Sequence, residues 1–218
     1  YAKEAPGAFK LELRLGETYQ WAVELQGEDI RSEDYRLVSL TPRGEEVLPR
    51  SENKTFKGHV LGPLGGEARL TLDEHFIFGF VESNGETYYI EPARRFDPQL
   101  SEDTYLAYPS SGVAETNSFE CGWHDTPAPD IHELPAPDAG RFVLACYTLD
   151  VALAADFSMV QQFGSVSGAE SFMLGVLNNV QSNYDNEFAH QIIFEVATFF
   201  VSSCSSCDPW TSSPSAGA

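Results

Sequence analysis

Residues 141–156, RFVLACYTLDVALAAD, form a near-continuous apolar run in a chain of 218 residues. Such a run is typical of a β-strand that is covered on both faces, as in a parallel sheet. Residues 190–201, HQIIFEVATFFV, are rich in β-branched and aromatic side chains and predict a second strand. The residues between the two runs have helical periodicity. We therefore expect a right-handed strand–helix–strand unit in which the two strands are parallel.

The helix between these strands is predicted from both its start and its apolar face. Ser167 and Glu170 have the spacing of a capping box, in which the two side chains bond to the first backbone amides of a helix. Apolar residues then recur at intervals of three and four, namely Val166, Ala169, Met173, Val176, Leu177, Val180 and Tyr184.

The first hundred residues are a series of short segments with alternating apolar and polar side chains, which predicts an all-β domain. Asn84-Gly85 lies between two of these segments and is a strong hairpin signal, because both central residues of a type I′ turn need positive φ. Strands are predicted at residues 9–15, 19–25, 35–40, 55–61, 67–72, 75–82 and 86–92.

Residues 97–140 are rich in proline, serine and acidic residues and predict an extended connecting segment. The expected organisation is a β-rich domain at 1–114, a proline-rich linker at 115–140 and an α/β segment at 141–218. The fold class is therefore α+β, with an antiparallel sandwich or barrel followed by one βαβ unit. Because 141–218 is short for an α/β domain, we expect that this domain continues beyond Ala218.

The chain is strongly acidic, with 33 Asp and Glu against 13 Lys and Arg and a formal net charge of -20. This charge repels phosphate backbones, so nucleic acid is not expected as a partner. No stretch approaches the eighteen or so consecutive apolar residues of a membrane span. The four cysteines are compatible with a secreted protein.

No catalytic motif is complete in this sequence. His132-Glu133 is followed by LPAPD, which has no second histidine one helical turn later and contains helix-breaking prolines. The nucleophile elbow, the phosphate-binding loop and the dinucleotide-binding glycine pattern are also missing from the sequence. We therefore expect the chain by itself to be inactive as a catalyst.

The cysteines leave several interpretations open. Cys204 and Cys207 form a CxxC pair that predicts a local disulfide or plain thiols, a redox pair, or half of a zinc site. Cys121 lies next to Gly122 in the linker, where a thiolate is a candidate zinc ligand. The alternatives for Cys121 are a disulfide with Cys146 or no role.

Residues 56–92, FKGHVLGPLGGEARLTLDEHFIFGFVESNGETYYIEP, resemble the prodomain of reprolysin-type (adamalysin, ADAM-like) zinc metalloproteases of the metzincin clan. In that family an aromatic-x-Gly-His-Val strand, an alternating strand, a Gly-centred strand and a Tyr-x-Ile-Glu-Pro ending come in this order. Residues 147–200 are similar to the opening of the family's catalytic domain. The zinc helix of the family, HExxHxxGxxH, has no counterpart up to Ala218.

The resemblance implies a secreted zinc metalloendopeptidase zymogen. Cys121 would be the prodomain cysteine that ligates the catalytic zinc, and the N-terminal domain would contact the catalytic domain, inhibit it and assist its folding. Asp150 stands where many family members place a calcium-binding acid, so calcium is implied as a second metal. Substrates would be proteins or peptides.

Two other functions compete with the zymogen interpretation. One is a secreted, non-catalytic β-sandwich binding module with an α/β adaptor. The other is a thiol-disulfide protein that works through Cys204 and Cys207, which predicts a low thiol pKa at Cys204.

Overall fold

The computed structural model describes residues 7–63, 65–114 and 146–210, which form two sheets, two α-helices and three short 3-10 helices. We call residues 7–114 the N-terminal segment and residues 146–210 the C-terminal segment. The α+β class expected from the sequence is confirmed. No helix in the described residues is long and apolar enough to cross a membrane.

The larger sheet is antiparallel and has seven strands, all from the N-terminal segment. Its strands, in spatial order, are β1 (Phe9–Leu15), β2 (Tyr19–Gly27), β5 (Thr55–Val60), β6 (Gly65–Leu72), β7 (Ile77–Ser83), β8 (Glu86–Pro92) and β9 (Tyr105–Pro109). Tyr88 of β8 contacts both Tyr19 and Trp21 of β2, so the sheet curls. Its end strands β1 and β9 do not pair with each other in the described part of the chain, which leaves this one sheet open.

The smaller sheet combines strands from both segments. Its order is β10 (Tyr147–Ala155), β11 (Ile192–Ser202), β3 (Arg31–Thr41) and β4 (Gly44–Leu48). Strand β11 is parallel to β10 on one side and to β3 on the other, and β4 is antiparallel to β3. The β3–β4 hairpin therefore leaves the first sheet and joins the second. The linker at 115–140 connects two stretches of sequence that share a sheet.

The two helices lie between β10 and β11 in the chain. Helix α1 (Phe157–Phe163) is followed by Gly164 in the left-handed region, and helix α2 (Val166–Glu187) begins directly after it. The predicted parallel strands around a helix are thus present. The predicted capping box is wrong, because the Ser165 hydroxyl accepts the cap hydrogen bond from the Gly168 amide.

Strand β10 is not covered on both faces, contrary to the prediction from the sequence. Tyr147 is 62% exposed and Leu149 is 44% exposed. The physical reason is its position at the sheet edge, where β11 is the only strand beside it among the described residues. Two strands that were not predicted, β4 and β9, are also present.

Helix α2 is buried on more than one side. Its buried residues include Ala169, Phe172, Leu174 and Gly175, and also the polar Glu170, Ser171, Asn178, Gln181 and Ser182. This pattern arises because α2 contacts β11 of the smaller sheet and β5, β6 and β7 of the larger sheet. The apolar stripe from the sequence accounts for only part of this contact.

Candidate functional site

Two of the three hydrophobic clusters found in the described residues join the two segments. One cluster contains Ile30, Tyr35 and Leu37 from the N-terminal segment together with Leu174 and Phe199 from the C-terminal segment. A second cluster combines four phenylalanines, namely Phe76 and Phe78 from the N-terminal segment and Phe163 and Phe172 from the two helices. The contact between the segments is therefore part of the protein core.

A polar cluster lies where β3 meets α2, and we call Asp29, Arg31, Tyr35 and Glu170 the Glu170 cluster. Arg31, Tyr35 and Glu170 are buried, whereas Asp29 lies at the exposed edge. The Tyr35 hydroxyl donates a 2.7 Å hydrogen bond to Glu170 Oε1, and Arg31 Nη1 lies 3.4 Å from the same oxygen. Arg31 also donates to both Asp29 oxygens, at 2.7 and 2.9 Å. The second Glu170 oxygen, Oε2, is buried and has no hydrogen-bond partner.

The electrostatics of the Glu170 cluster follow from its burial. Burial and the hydrogen bond to Glu170 raise the pKa of Tyr35, so this hydroxyl remains protonated and can donate. Burial also acts to raise the pKa of Asp29, but hydrogen bonds from Arg31 and Arg50 outweigh it and hold that pKa below the usual value. A carboxylate that accepts from two guanidinium groups is stabilised in its charged form.

A second polar cluster joins β6 to the C-terminal half of α2, and we call Glu67, Arg69, Asn178 and Asp185 the Arg69 cluster. Arg69 Nη2 lies 2.7 Å from Asp185 Oδ2, and Arg69 Nη1 donates to Asn178 Oδ1 at 3.2 Å. Arg69 also forms an ion pair with Glu67 on its own strand. The Arg69 side chain is only 3% exposed, so the Arg69 cluster excludes water from a charged group.

Asp185 has hydrogen bonds on more than one side. Burial acts to raise its pKa, but hydrogen bonds from Gln181 and Arg69 outweigh this and hold the pKa below the usual value. Gln181 also donates to the Ile192 carbonyl and accepts from the Phe194 amide, each at 2.8 Å. Gln181 thereby links the Arg69 cluster, which joins β6 to α2, to the start of β11.

Two open clefts border Arg95. The first has a volume of about 320 Å³ and is lined by residues of both segments, including His75 and Arg94 on one side and Gln161 and Ser165 on the other. The second has a volume of about 420 Å³ and includes Asn179 of α2. Arg95 stacks over the Phe172 ring, with its guanidinium carbon 4.8 Å from the ring centre.

Cys121, the predicted zinc ligand, lies outside the described residues, as does the whole linker at 115–140. Cys146 is an exposed thiol without a disulfide partner among the described residues, and the alternative of a Cys121–Cys146 disulfide stays a prediction because Cys121 lies outside them. Cys204 and Cys207 are joined by a disulfide, which fits a structural bridge and equally the oxidised form of a redox pair, so these two interpretations stay predictions. Cys207 Sγ lies 3.2 Å from the Leu40 carbonyl oxygen of β3, so the disulfide also lies against the N-terminal segment.

Asp150, the predicted calcium ligand, is exposed on β10 and stands opposite Glu195 of β11. Within the described ranges, no three His, Cys, Asp or Glu side chains are grouped so that they could hold a metal. The described histidines, His59, His75 and His190, are all exposed.

The polar contacts of α2 were not anticipated from the sequence. Glu170 was interpreted as a capping residue, whereas it is fully buried against Tyr35 and Arg31. Asn178 and Ser182 lie on the side of α2 opposite the predicted apolar stripe, so the helical periodicity of the sequence did not indicate that they are buried. No model of a known protein family matches this chain, and a search of curated proteins finds no match.

Proposed function

We propose that this chain is the latent front part of a secreted zinc metalloendopeptidase. Residues 1–114 act as the prodomain, Cys121 is the inhibitory zinc ligand, and residues 141–218 begin the catalytic domain. The prodomain assists folding and keeps the enzyme inactive. The motif order at residues 56–92 and 147–200 is the sequence basis of this proposal.

The contact between the two segments is the observation that favours a prodomain most. A prodomain must bind the catalytic domain that it inhibits, and strand addition is a general way to bind a sheet edge. In this chain β3 of the N-terminal segment lies beside β11 of the C-terminal segment, with Leu37 opposite Phe199 and Val38 opposite Phe200. A prodomain bound in this way supports the first sheet of its enzyme during folding.

Zinc in the complete protein would supply an activated water for peptide-bond hydrolysis. The described residues hold no ligand set for this metal, and the general-base glutamate and zinc histidines of the family have no counterpart in this sequence. In this proposal the role of the chain is latency. A thiolate from Cys121 at the fourth zinc position would exclude the water.

The test is a latency assay on the complete natural protein that carries this chain. Hydrolysis of a quenched fluorescent peptide library is followed before and after activation for wild type, Cys121→Ser and Cys146→Ser. We expect Cys121→Ser to be active without activation. Cys146→Ser, which changes an exposed free thiol, should stay latent like wild type.

Equal latency of Cys121→Ser and wild type would contradict the role of Cys121. Absence of peptidase activity and of zinc in all three proteins would contradict the zymogen proposal. It would favour the binding module, for which the clefts beside Arg95 are the first places to search for a ligand.

A further inference from the structure

The N-terminal and C-terminal segments are held together by contacts that do not involve the linker. Strands β3 and β11 pair in parallel over six register positions, from Arg31 opposite Val196 to Leu40 opposite Ser202. Two hydrophobic clusters have members from both segments. Every one of these contacts lies within residues 7–114 or 146–210, so an intact backbone between 115 and 145 is not needed to form them.

Buried charged groups lie across this contact. Arg31 is 1% exposed and Glu170 is fully buried at the β3–α2 contact, while Arg69 is 3% exposed at the β6–α2 contact. Separation of the segments would break the ion pair between Arg31 and Glu170 and the ion pair between Arg69 and Asp185. It would also expose the four phenylalanines of the mixed cluster to water.

We infer that the two segments remain bound as a non-covalent complex after the backbone is cut between residues 115 and 145. The C-terminal segment is the binding partner of the N-terminal segment, and β3 is the strand that it accepts. Cleavage of the linker and release of the N-terminal segment are then two separate steps. This inference concerns the fold only and holds whether or not the complete protein is a protease.

The Glu170 cluster sets the lifetime of the complex. Arg31 and Tyr35 come from the N-terminal segment and share one acceptor, Oε1 of Glu170. Loss of Arg31 leaves a buried carboxylate with only a hydroxyl donor, and the removal of one partner from a buried ion pair is strongly destabilising. Interface changes of this kind act mainly on the dissociation rate.

The experiment uses the 218-residue chain with a site-specific protease sequence in place of residues 126–132. Cys121→Ser is included so that no disulfide can bridge the cut. After cleavage near neutral pH the sample is run on a size-exclusion column at about 100 nM, a concentration at which only a complex of nanomolar affinity survives. We expect one peak that contains both fragments. Elution of the fragments in separate peaks, or aggregation of either fragment, would overturn the inference.

Variants of the cleaved chain assign the lifetime to the Glu170 cluster. Exchange between isotope-labelled and unlabelled complexes is followed by mass spectrometry. Arg31→Met should exchange roughly a hundredfold faster than wild type. Arg36→Met, a change at an exposed position of the same strand, should exchange at the wild-type rate.

Tyr35→Phe is the milder change, for use if Arg31→Met prevents folding of the uncut chain. It removes one donor to Glu170 and keeps the ring, and it should accelerate exchange about tenfold. Exchange of Tyr35→Phe at the wild-type rate would overturn the role of the Glu170 cluster.

Discussion

The hydroxyl of Tyr35 donates a 2.7 Å hydrogen bond to Oε1 of Glu170, across 135 residues of sequence. This bond joins the hairpin that leaves the N-terminal sheet to the long helix of the C-terminal segment. It is buried, as are the two residues that form it. The contact between the two segments is therefore part of the folded core.

Replacement of Tyr35 by phenylalanine should lower the free energy of unfolding by about 1–3 kcal/mol. The reason is that Glu170 Oε1 loses a donor, while its other oxygen already has no partner. Thermal unfolding of the 218-residue chain measures the effect. Tyr147→Phe removes a hydroxyl from a 62% exposed residue and should leave the melting temperature unchanged.

Acid should destabilise the fold through Asp185 and Asp29. Both carboxyl groups have folded-state pKa values below the usual value, so their contribution is complete above an unfolded-state pKa of about 3.9 and is lost as the pH falls through the folded-state values. Urea unfolding between pH 6 and pH 2 measures this loss of stability, because that range includes the unfolded-state pKa of about 3.9.

Asp185→Asn isolates one carboxyl group from this acid response. The variant should be less stable than wild type at pH 6, and the difference should shrink as the pH falls through the lowered folded-state pKa of Asp185, because the wild-type side chain then also becomes neutral. A constant difference across this range would show that the charge of Asp185 is not the cause.

Gly175 is required by the close approach of α2 to β6. A Cβ atom at this position would lie 2.1 Å from Thr71 Oγ1 and 3.1 Å from Thr71 Cβ. Alanine has the better helix propensity, but the clash with a buried side chain outweighs it, and we expect Gly175→Ala to cost about 1–3 kcal/mol. Chemical denaturation measures the change. Asn183→Ala, at an exposed position of the same helix, should be neutral or slightly stabilising.

Removal of the Cys204–Cys207 disulfide should cost roughly 2 kcal/mol, because the loop that it closes is short. Protection of backbone amides from hydrogen exchange should fall first at the start of α1. The reason is that Asp208, just beyond the disulfide, accepts a hydrogen bond from the Phe157 amide at 2.8 Å. Hydrogen exchange of Cys204→Ser/Cys207→Ser detects this local change. Cys146→Ser is the control, and similar protection of α1 in both proteins would contradict a structural role for the disulfide.

Local patterns in the sequence predicted strands β1 to β3 and β5 to β8, together with helix α2. Alternation reports which residues share a face, and the Asn84-Gly85 turn adopts the positive φ values that its hairpin needs. Strand β4 is five residues long and mostly exposed, so it has no apolar alternation. Strand β9 ends in Pro109 within a proline-rich stretch that was interpreted as a connection.

The partner of each strand could not be predicted in the same way. Nothing in residues 35–40 indicates that they pair with a strand at the far end of the chain, because alternation is a local property. Glu170 was assigned to a helix cap from its spacing alone, and its true partners, Arg31 and Tyr35, became visible only in the structure. Cys121, the residue on which the latency proposal depends, lies outside the described residues.

Zinc content of the complete natural protein is the measurement that tests the zymogen proposal most directly. The protein is expressed from the full reading frame that carries this chain, purified without chelators and analysed for bound metals. We predict one zinc per chain, held by an HExxHxxGxxH helix beyond Ala218. A reading frame without that motif, and a protein without zinc, would contradict the proposal.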